Sequence, residues 1–559
     1  MSQKDYAIGL GMDDFSMMRR ENNYYIDKSL LVKTVVEGIG YVKLITRPRR
    51  FGKSTNMSML RAFFEIGKDG EPDPKLFEGL AIEGEKGIFD KWYRKYPVIH
   101  LNLFPMSSSD EFNVSIDSLR DIIASECERL HYLQESSKVS ESKKNLLRKL
   151  ENNDDENKVP LAVLIKSLSH MTKALADHHG KPVIVLIDEY DSPFNHKSQD
   201  GFRDKLLSNM SVFFGCAFKG NPHVRLNVVT GCLRIANESI FTGANNLVVY
   251  DLDDNLFSEF YGLTQKELEA VLWDKGLPKC LDDLKAWYDG YNFGGTQIYN
   301  TSSVLHHIAA LIQNRFSTPK NYWINTSRND ILETALDGGY NYHVATRLVA
   351  GEAVSLPQIS HVITYRSLKR EDSIWSILYS SGYLTKALDS DHDYLIPNAE
   401  VKSVFVELYK DYVKGKLGLD KPKRLHEAIY TLDAKAIEGL LKELLLSMSF
   451  HDTGVNHEDV YHDVFFGAMF GLNILSNREA GHGRADVEVE FPEDKLVVVF
   501  EFKRIEGKDK NLSDTALRAY NQVFGLGYIE LHRARGFKVA VFGVGCSGKN
   551  CKIVGGLAS

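Results

Sequence analysis

KLITRPRRFGKSTNMSMLRAFFE (43–65) is the stretch on which the reading of the first half turns. It opens β-rich, passes through a tight basic loop, and from Lys53 onward places apolar residues at helical spacing. A strand, a tight loop and a helix in that order aim backbone N–H groups and the helix's positive end at one point, which is the geometry a phosphate needs. Gly52, Lys53 and Ser54 fit the end of the GxxxxGK(S/T) pattern, with Thr55 following them. In such a loop Lys53 bridges the outer phosphates and the Ser54 hydroxyl coordinates Mg²⁺. Arg47 stands where the pattern has its leading glycine, and a side chain there limits how closely the loop can wrap. Arg49 and Arg50 are placed to compensate with positive charge. Alone, the triplet is equally compatible with a plain turn from strand to helix.

Two further strands tilt the reading toward ATP. VIVLIDEYD (183–191) is an apolar run ending in Asp188 and Glu189. A carboxylate at that strand end can hold the Mg²⁺ shell, and the next one can polarise an attacking water. LNVVTG (226–231) ends with Thr230 and is followed by Arg234, a pair suited to sensing a γ-phosphate. The carboxyl ends of parallel strands converge on one edge of a sheet. Three such coincidences in order point to ATP binding, with hydrolysis a further expectation.

The same alternation of short β-rich runs and helical segments extends over residues 1–255, the signature of a mostly parallel sheet covered by helices. Within it, residues 135–158 are strongly charged and read as a solvated helix or insertion. Residues 256–395 turn mainly helical, with a capping box at Thr264 and Glu267, and read as an all-α lid or connector. Residues 396–559 form a second α/β unit with its own core. The fold class is therefore α/β: an N-terminal P-loop NTPase-type parallel sheet, a helical middle and a C-terminal α/β domain. No apolar run approaches the roughly 20 residues of a membrane span, and no signal-peptide layout opens the chain. Six scattered cysteines without a CxxC pair suit a reducing cytoplasm. A formal charge of −7 excludes a protein that grips nucleic acid through bulk positive charge.

The C-terminal part carries the sharper chemistry. GRADVEVEF (483–491) places Asp486 near the head of one strand, and VVVFEFK (497–503) closes the next with Glu501 and Lys503. Alternation puts Glu501 and Lys503 on one face, and a hairpin brings Asp486 beside Glu501. Paired carboxylates repel unless a cation sits between them, and oxygen donors favour Mg²⁺ or Mn²⁺. An adjacent ammonium can orient a metal-bound water, which completes a minimal apparatus for phosphodiester hydrolysis. The competing reading is an amphipathic hairpin whose Glu501 and Lys503 form a surface pair. A third acid, Glu458, lies upstream in a helical pattern, and Gln522 on the following helix can add a contact to metal-bound water or DNA. Residues 396–559 hold 22 Lys and Arg against 23 Asp and Glu, so no net basic field guides a substrate. A local patch of Arg478, Arg484, Lys503, Arg504 and Lys508 is left to position phosphates.

TRPRRFGKST, LIDEYDSP, FSMMRRENNYYIDKSLL (15–31), TGCLRIANESIFTGANNL (230–247) and WYDGYNFGGTQIYNTSSVL (287–305) together resemble the bacterial AAA-ATPase-like family. In that family an arginine-rich loop in place of the leading glycine is usual. The resemblance implies nucleotide binding around Gly52, Lys53 and Ser54, with Asp188 and Glu189 as the second acidic element. SFHDTGVNHEDVYH (449–462), LSNREAGHGRADVEV (475–489), VVFEFK (498–503), ALRAYNQVFGLGY (516–528) and VFGVGCSGKNCKIV (541–554) resemble the PD-(D/E)XK nuclease superfamily, in the branch found fused to that ATPase-like domain. By that resemblance Asp486 and Glu501 are metal ligands, Lys503 the catalytic lysine, Glu458 the helix acid and Gln522 auxiliary. Glu479 rivals Glu458 for the third acid, and Gly-Arg-Ala precedes Asp486 where the motif's name has proline. The expectation is a cytoplasmic ATP-binding protein gating a nuclease on nucleic acid, DNA in preference to RNA, with a homo-oligomer or protein partner left open. The alternative is a switch that binds without cutting.

Overall fold

β3 (Val183–Asp188) is buried along its whole length, as befits an apolar, β-branched run covered on both faces. Each of its fully buried aliphatic side chains contributes about 1.5–3 kcal/mol relative to exposure. In this computed structural model it lies in a five-stranded parallel sheet with β1 (Val42–Thr46), β2 (Val98–Asn102), β4 (Val224–Gly231) and β5 (Leu247–Tyr250), in the order β2-β3-β4-β1-β5. The described residues are 5–67, 75–108, 111–152, 158–194, 200–234, 246–323, 344–345, 347–349, 351–356, 359–360, 374–406, 421–447, 461, 465, 473–480, 483–505, 511–525 and 528–558.

Helices α1 (Lys53–Phe64), α2 (Lys86–Trp92), α3 (Phe112–Arg129), α4 (Glu141–Glu151), α5 (Ser167–His179) and α6 (Asp200–Phe218) connect or flank these strands. α1 packs on β3 and β2, α5 on β3, and α6 on β4. The charged segment 135–158 contains α4, which buries Leu147 and Leu150 and leaves most of its polar side chains toward solvent. β5 escapes the sequence reading because Leu247–Tyr250 is short and pairs only with β1 on one side.

The chain divides into two compact units. The first comprises Met1–Asn325, Pro357–Ser390 and Pro397–Glu400; the second comprises Thr326–Leu356, Asp391–Ile396 and Val401–Ser559. Beyond its sheet the first unit holds α7 (Gln265–Asp274), opened by the expected capping box: Glu267 N–H donates to Thr264 Oγ1 at 3.3 Å, and Thr264 N–H donates to Glu267 Oε2 at 2.8 Å. It also holds a hairpin of β6 (Tyr291–Phe293) and β7 (Thr296–Ile298), then α8 (Thr301–Gln313). The hairpin corrects the all-α reading of this stretch; its strands are three residues long and too short to show a period.

The second unit carries α9 (Ala434–Ser447) and a mixed sheet of β8 (Asn473–Ala480), β9 (Gly483–Phe491), β10 (Leu496–Arg504), β11 (Lys538–Ser547) and β12 (Asn550–Leu557), in that order. β9 and β10 form the expected antiparallel hairpin, whereas β10 and β11 run parallel, joined through α10 (Leu512–Gly525) and α11 (Tyr528–Ala534). Val497, Val499, Val539 and Val541 meet Val523 and Ile529 of these helices in one apolar cluster. The sheet extends beyond the sequence reading at both edges, β8 and β12. These strands pair on one side only and carry polar or glycine-rich sequence, so the apolar signal of a central strand is missing.

Candidate functional sites

Thr46, at the end of β1, leads into the loop Arg47–Gly52, and the backbone reverses through Arg50 and Gly52 at φ +69 and +82. Lys53 is buried and its Nζ donates to the carbonyls of Arg47 and Pro48 at 3.2 and 3.0 Å. The same ammonium lies 3.4 Å from Glu189 Oε1 and 3.4 Å from Cys232 Sγ. Burial acts to lower the Lys53 pKa, but Cys232, Glu189, Asp188 and Asp191 outweigh it and hold the ammonium above its usual range. Ser54 Oγ donates to Asp188 Oδ2 at 2.6 Å, and Thr230 Oγ1 donates to Asp188 Oδ1. The ends of β1, β4 and β3 thus converge as their adjacency in the sheet requires.

The two acids at the end of β3, Asp188 and Glu189, are driven apart electrostatically. Burial and the neighbouring Glu189 raise the Asp188 carboxyl, only partly offset by the Ser54 and Thr230 hydroxyls. Glu189 is held below its usual range, because Lys53 and Arg49 overcome its burial. Arg49 is drawn toward the same group: its burial is outweighed by Cys232, Glu189 and Asp191. Arg50 instead donates to the Tyr322 carbonyl, and Arg234 pairs with Asp251 at 2.9 Å. Arg47 points away from the loop's concave side. Its Nη1 bonds Tyr250 O and Asp251 O at 3.2 and 2.7 Å, and its guanidinium sits 5.5 Å from the ring centres of both Tyr261 and Phe293. The side chain that occupies the glycine position therefore fills the core beneath the loop and leaves the phosphate side open.

That side faces a cleft of about 290 Å³ whose walls include Arg49–Asn56, the segments Gly9–Asp13 and Tyr24–Ile26, Lys28, and Thr301, Ser302, Leu305 and His306 at the start of α8. Lys28, buried in its wall, is itself fixed, donating to Glu259 O and to Glu267 at 2.6 Å.

In the second unit, Asp486 Oδ2 accepts from the Phe502 N–H at 2.7 Å, which ties the first acid to the strand carrying the second. The register pairs Val487 with Phe500, so Asp486 falls beside Glu501 on one face. Glu501 is 2% exposed; its Oε1 lies 3.7 Å from Lys503 Nζ and accepts from Gln522 Nε2 of α10. Glu501 and Lys503 stand opposite Gly543 and Gly545 of β11, and the missing side chains let α10 settle close enough for Gln522 to reach. Two residues along β9, buried Glu488 meets buried His532 of α11 at 3.2 Å. Glu458 and the side chains of Glu479, Arg478, Arg484 and Lys508 lie outside the described residues.

Residues 9–241 match the family described as "Predicted AAA-ATPase", and residues 456–555 match the PD-(D/E)XK nuclease superfamily. The chain carries an AAA-ATPase-like domain and a PD-(D/E)XK superfamily domain. An "Uncharacterized protein in vnfD 5'region" of Azotobacter chroococcum mcd 1 is 26% identical over 577 residues, covering 99% of both chains. Among solved structures, the Walker-type ATPase PABY2304 of Pyrococcus abyssi overlays at TM-score 0.36 and 15% identity, covering 69% of this chain and 97% of that one. The ORC2 protein of Aeropyrum pernix overlays at TM-score 0.30 and 10% identity, covering 74% and 97%.

The donor set of the PD-(D/E)XK domain suits a hard divalent cation: two carboxylates on adjacent strand ends supply oxygen ligands, with the rest of the shell left to water and phosphate. Among the described residues no group of three or more His, Cys, Asp or Glu is gathered for a metal, so a third protein ligand is not found there. In the AAA-ATPase-like domain the sequence reading passed over Asp191 and Cys232. Asp191 accepts from Leu233 N–H at 2.8 Å and from Cys232 N–H, pinning the turn after β4 against the acidic loop. The signal was Asp191's place inside LIDEYD, three residues beyond Asp188.

Proposed function

We propose that this is an ATP-binding, ATP-hydrolysing protein whose nucleotide state gates a metal-dependent phosphodiesterase acting on nucleic acid, DNA in preference to RNA. The observation that carries the cleavage reading is the meeting of Asp486, Glu501, Lys503 and Gln522 at adjoining strand ends and the facing helix. In this reading Asp486 and Glu501 hold the cation, Gln522 fixes the Glu501 carboxylate, and Lys503 orients the attacking water. Glu458 is the third acid. Mg²⁺ or Mn²⁺ bound there would supply Lewis-acid polarisation of the phosphate and a more acidic water.

In the first unit, Lys53, Arg49, Thr55 and the loop N–H groups take the phosphates, and Ser54 and Asp188 hold the Mg²⁺ of the nucleotide. Glu189 polarises the water once Lys53 turns to the phosphates. Thr230 keeps Asp188 aimed, and Arg234, paired to Asp251 here, answers the γ-phosphate. Residues 256–395 transmit the change between an ATPase part, 1–255, and a nuclease part, 396–559. A homo-oligomer or a protein partner completes the assembly in the cytoplasm. The test is incubation of the full chain with plasmid and single-stranded DNA in Mg²⁺ or Mn²⁺, with and without ATP. Cleavage that Glu501→Ala abolishes supports the proposal. Metal-independent binding with no cleavage overturns it in favour of a switch that does not cut.

A further inference from the structure

At the opposite edge of the parallel sheet from Asp188, the amino-terminal ends of β2, β3 and β4 lie side by side. They bring four exposed cations around one recess of about 440 Å³: Lys91 at the end of α2, Lys95 before β2, Lys181 before β3, and Arg225 on β4. Strands of five or six residues at ~3.3 Å per residue put this recess roughly 17 Å from the phosphate loop, so the two are separate sites.

How the cations are held matters more than their number. The Arg225 guanidinium lies 5.5 Å from the ring centre of Trp92, and the Lys91 ammonium lies 5.8 Å from it. Trp92 is itself buried, at 5% exposure, and packs against Tyr96 at 4.9 Å. Lys181 Nζ donates to the Lys95 carbonyl at 3.0 Å. Indole faces and a carbonyl fix these groups without cancelling a full charge, as a carboxylate would. Among the described residues none of the four has a carboxylate partner. In a chain of formal charge −7, that is a local field of one sign.

We infer that this recess is a phosphate-backbone site that holds a nucleic-acid strand on the AAA-ATPase-like domain, apart from its phosphate loop. Two inter-strand steps of ~4.8 Å span about 10 Å, the axial reach of about three phosphate-to-phosphate steps at ~3.4 Å per strand. Contacts of this kind set position and affinity and read no bases. The site supplies phosphate-binding charge that the balanced composition of 396–559 does not. The inference stands independently of whether the PD-(D/E)XK domain cuts.

The experiment is anisotropy of a labelled single-stranded oligonucleotide with the full chain, in EDTA and without nucleotide, across a series of KCl concentrations. The Lys95→Glu/Lys181→Glu chain, with folding checked by an unchanged melting temperature, should bind at least about tenfold more weakly, and the slope of log K against log salt should flatten by about 1.4 for two lost phosphates. Lys91→Ala/Arg225→Ala, which adds no negative charge, should give the same direction. Lys149→Ala, at an exposed cation on α4 outside the recess, should leave the affinity and its slope as they were. Oligonucleotide binding that neither double substitution weakens overturns the inference. So does tight binding of inorganic tripolyphosphate by a chain that binds no oligonucleotide.

Discussion

Glu189 sits at φ +54, a left-handed conformation uncommon for a residue with a side chain, and it does so where its carboxylate meets Lys53. The strain is consistent with a group whose position matters more than its local comfort. Glu189→Gln keeps the shape and removes the carboxylate proposed as the base, so ATP hydrolysis should fall about 10²-fold or more while ATP affinity in calorimetry stays within a few-fold. Lys53→Ala should do the reverse, weakening ATP binding itself; unchanged affinity would remove the loop from the site. Asp191 makes a different prediction. Burial first, then Glu189, lifts its carboxyl to about 6, against the Leu233 N–H and Lys53. Between about pH 4 and 6 the folded chain then binds a proton that the unfolded chain has released, so this group's contribution to stability falls as pH rises through that window. Asp191→Asn removes that loss. Its melting temperature relative to the unsubstituted chain should climb from pH 4 to pH 7, by an amount worth at most roughly 3 kcal/mol. A difference that is flat with pH would show that Asp191 ionises normally.

At the scale of elements, the PD-(D/E)XK site depends on how closely α10 approaches β11. A Cβ at Gly543 would meet the Ala516 carbonyl oxygen and the Tyr520 backbone nitrogen, so the helix must lift to admit it. Gly543→Ala should therefore cost about 1–3 kcal/mol of stability and pull Gln522 away from Glu501. Melting curves and cleavage rates read these two effects separately, and a stable variant with unchanged cleavage would show that Gln522 is dispensable. The central elements were legible in the sequence for a physical reason: β3 and β10 are apolar on both faces and run into the charged residues proposed for the chemistry, and β1, buried throughout, leads into the phosphate loop. Among elements with only one partner, β2 was legible because Val98, Ile99 and Leu101 keep it apolar, and the others were not. β5, β8 and β12 lie at sheet edges, and β6–β7 is a two-stranded hairpin, so none of them needs a long apolar run. The same logic explains the site residues. Lys53, Asp188, Glu501 and Lys503 announce themselves by spacing, whereas Asp191 and Lys28 act through partners distant in sequence or through backbone groups that no spacing reveals. Arg47 departs from the loop pattern in sequence, and only its burial against Tyr261 and Phe293 shows why the departure is harmless.

At the scale of the whole molecule, gating is a claim about free energy shared between two domains, and it has a consequence that does not depend on the path the signal takes. If ATP changes the affinity of the chain for DNA by some factor, DNA must change its affinity for ATP by the same factor. Couplings of this kind are typically about 1–3 kcal/mol, or about 5–150-fold. Glu501→Ala, which leaves the phosphate loop intact, allows both affinities to be measured without cleavage. A non-hydrolysable ATP analogue removes turnover from the other side. Calorimetry of the analogue with and without a DNA oligonucleotide, and anisotropy of the oligonucleotide with and without the analogue, should return equal factors different from one. Lys53→Ala should bring the second factor to one while leaving metal-dependent cleavage measurable, because that substitution touches neither Asp486, Glu501 nor Lys503. Equal factors of one in the intact chain would mean that the two domains share a polypeptide and no energy, and that ATP governs something other than access to the carboxylates on β9 and β10.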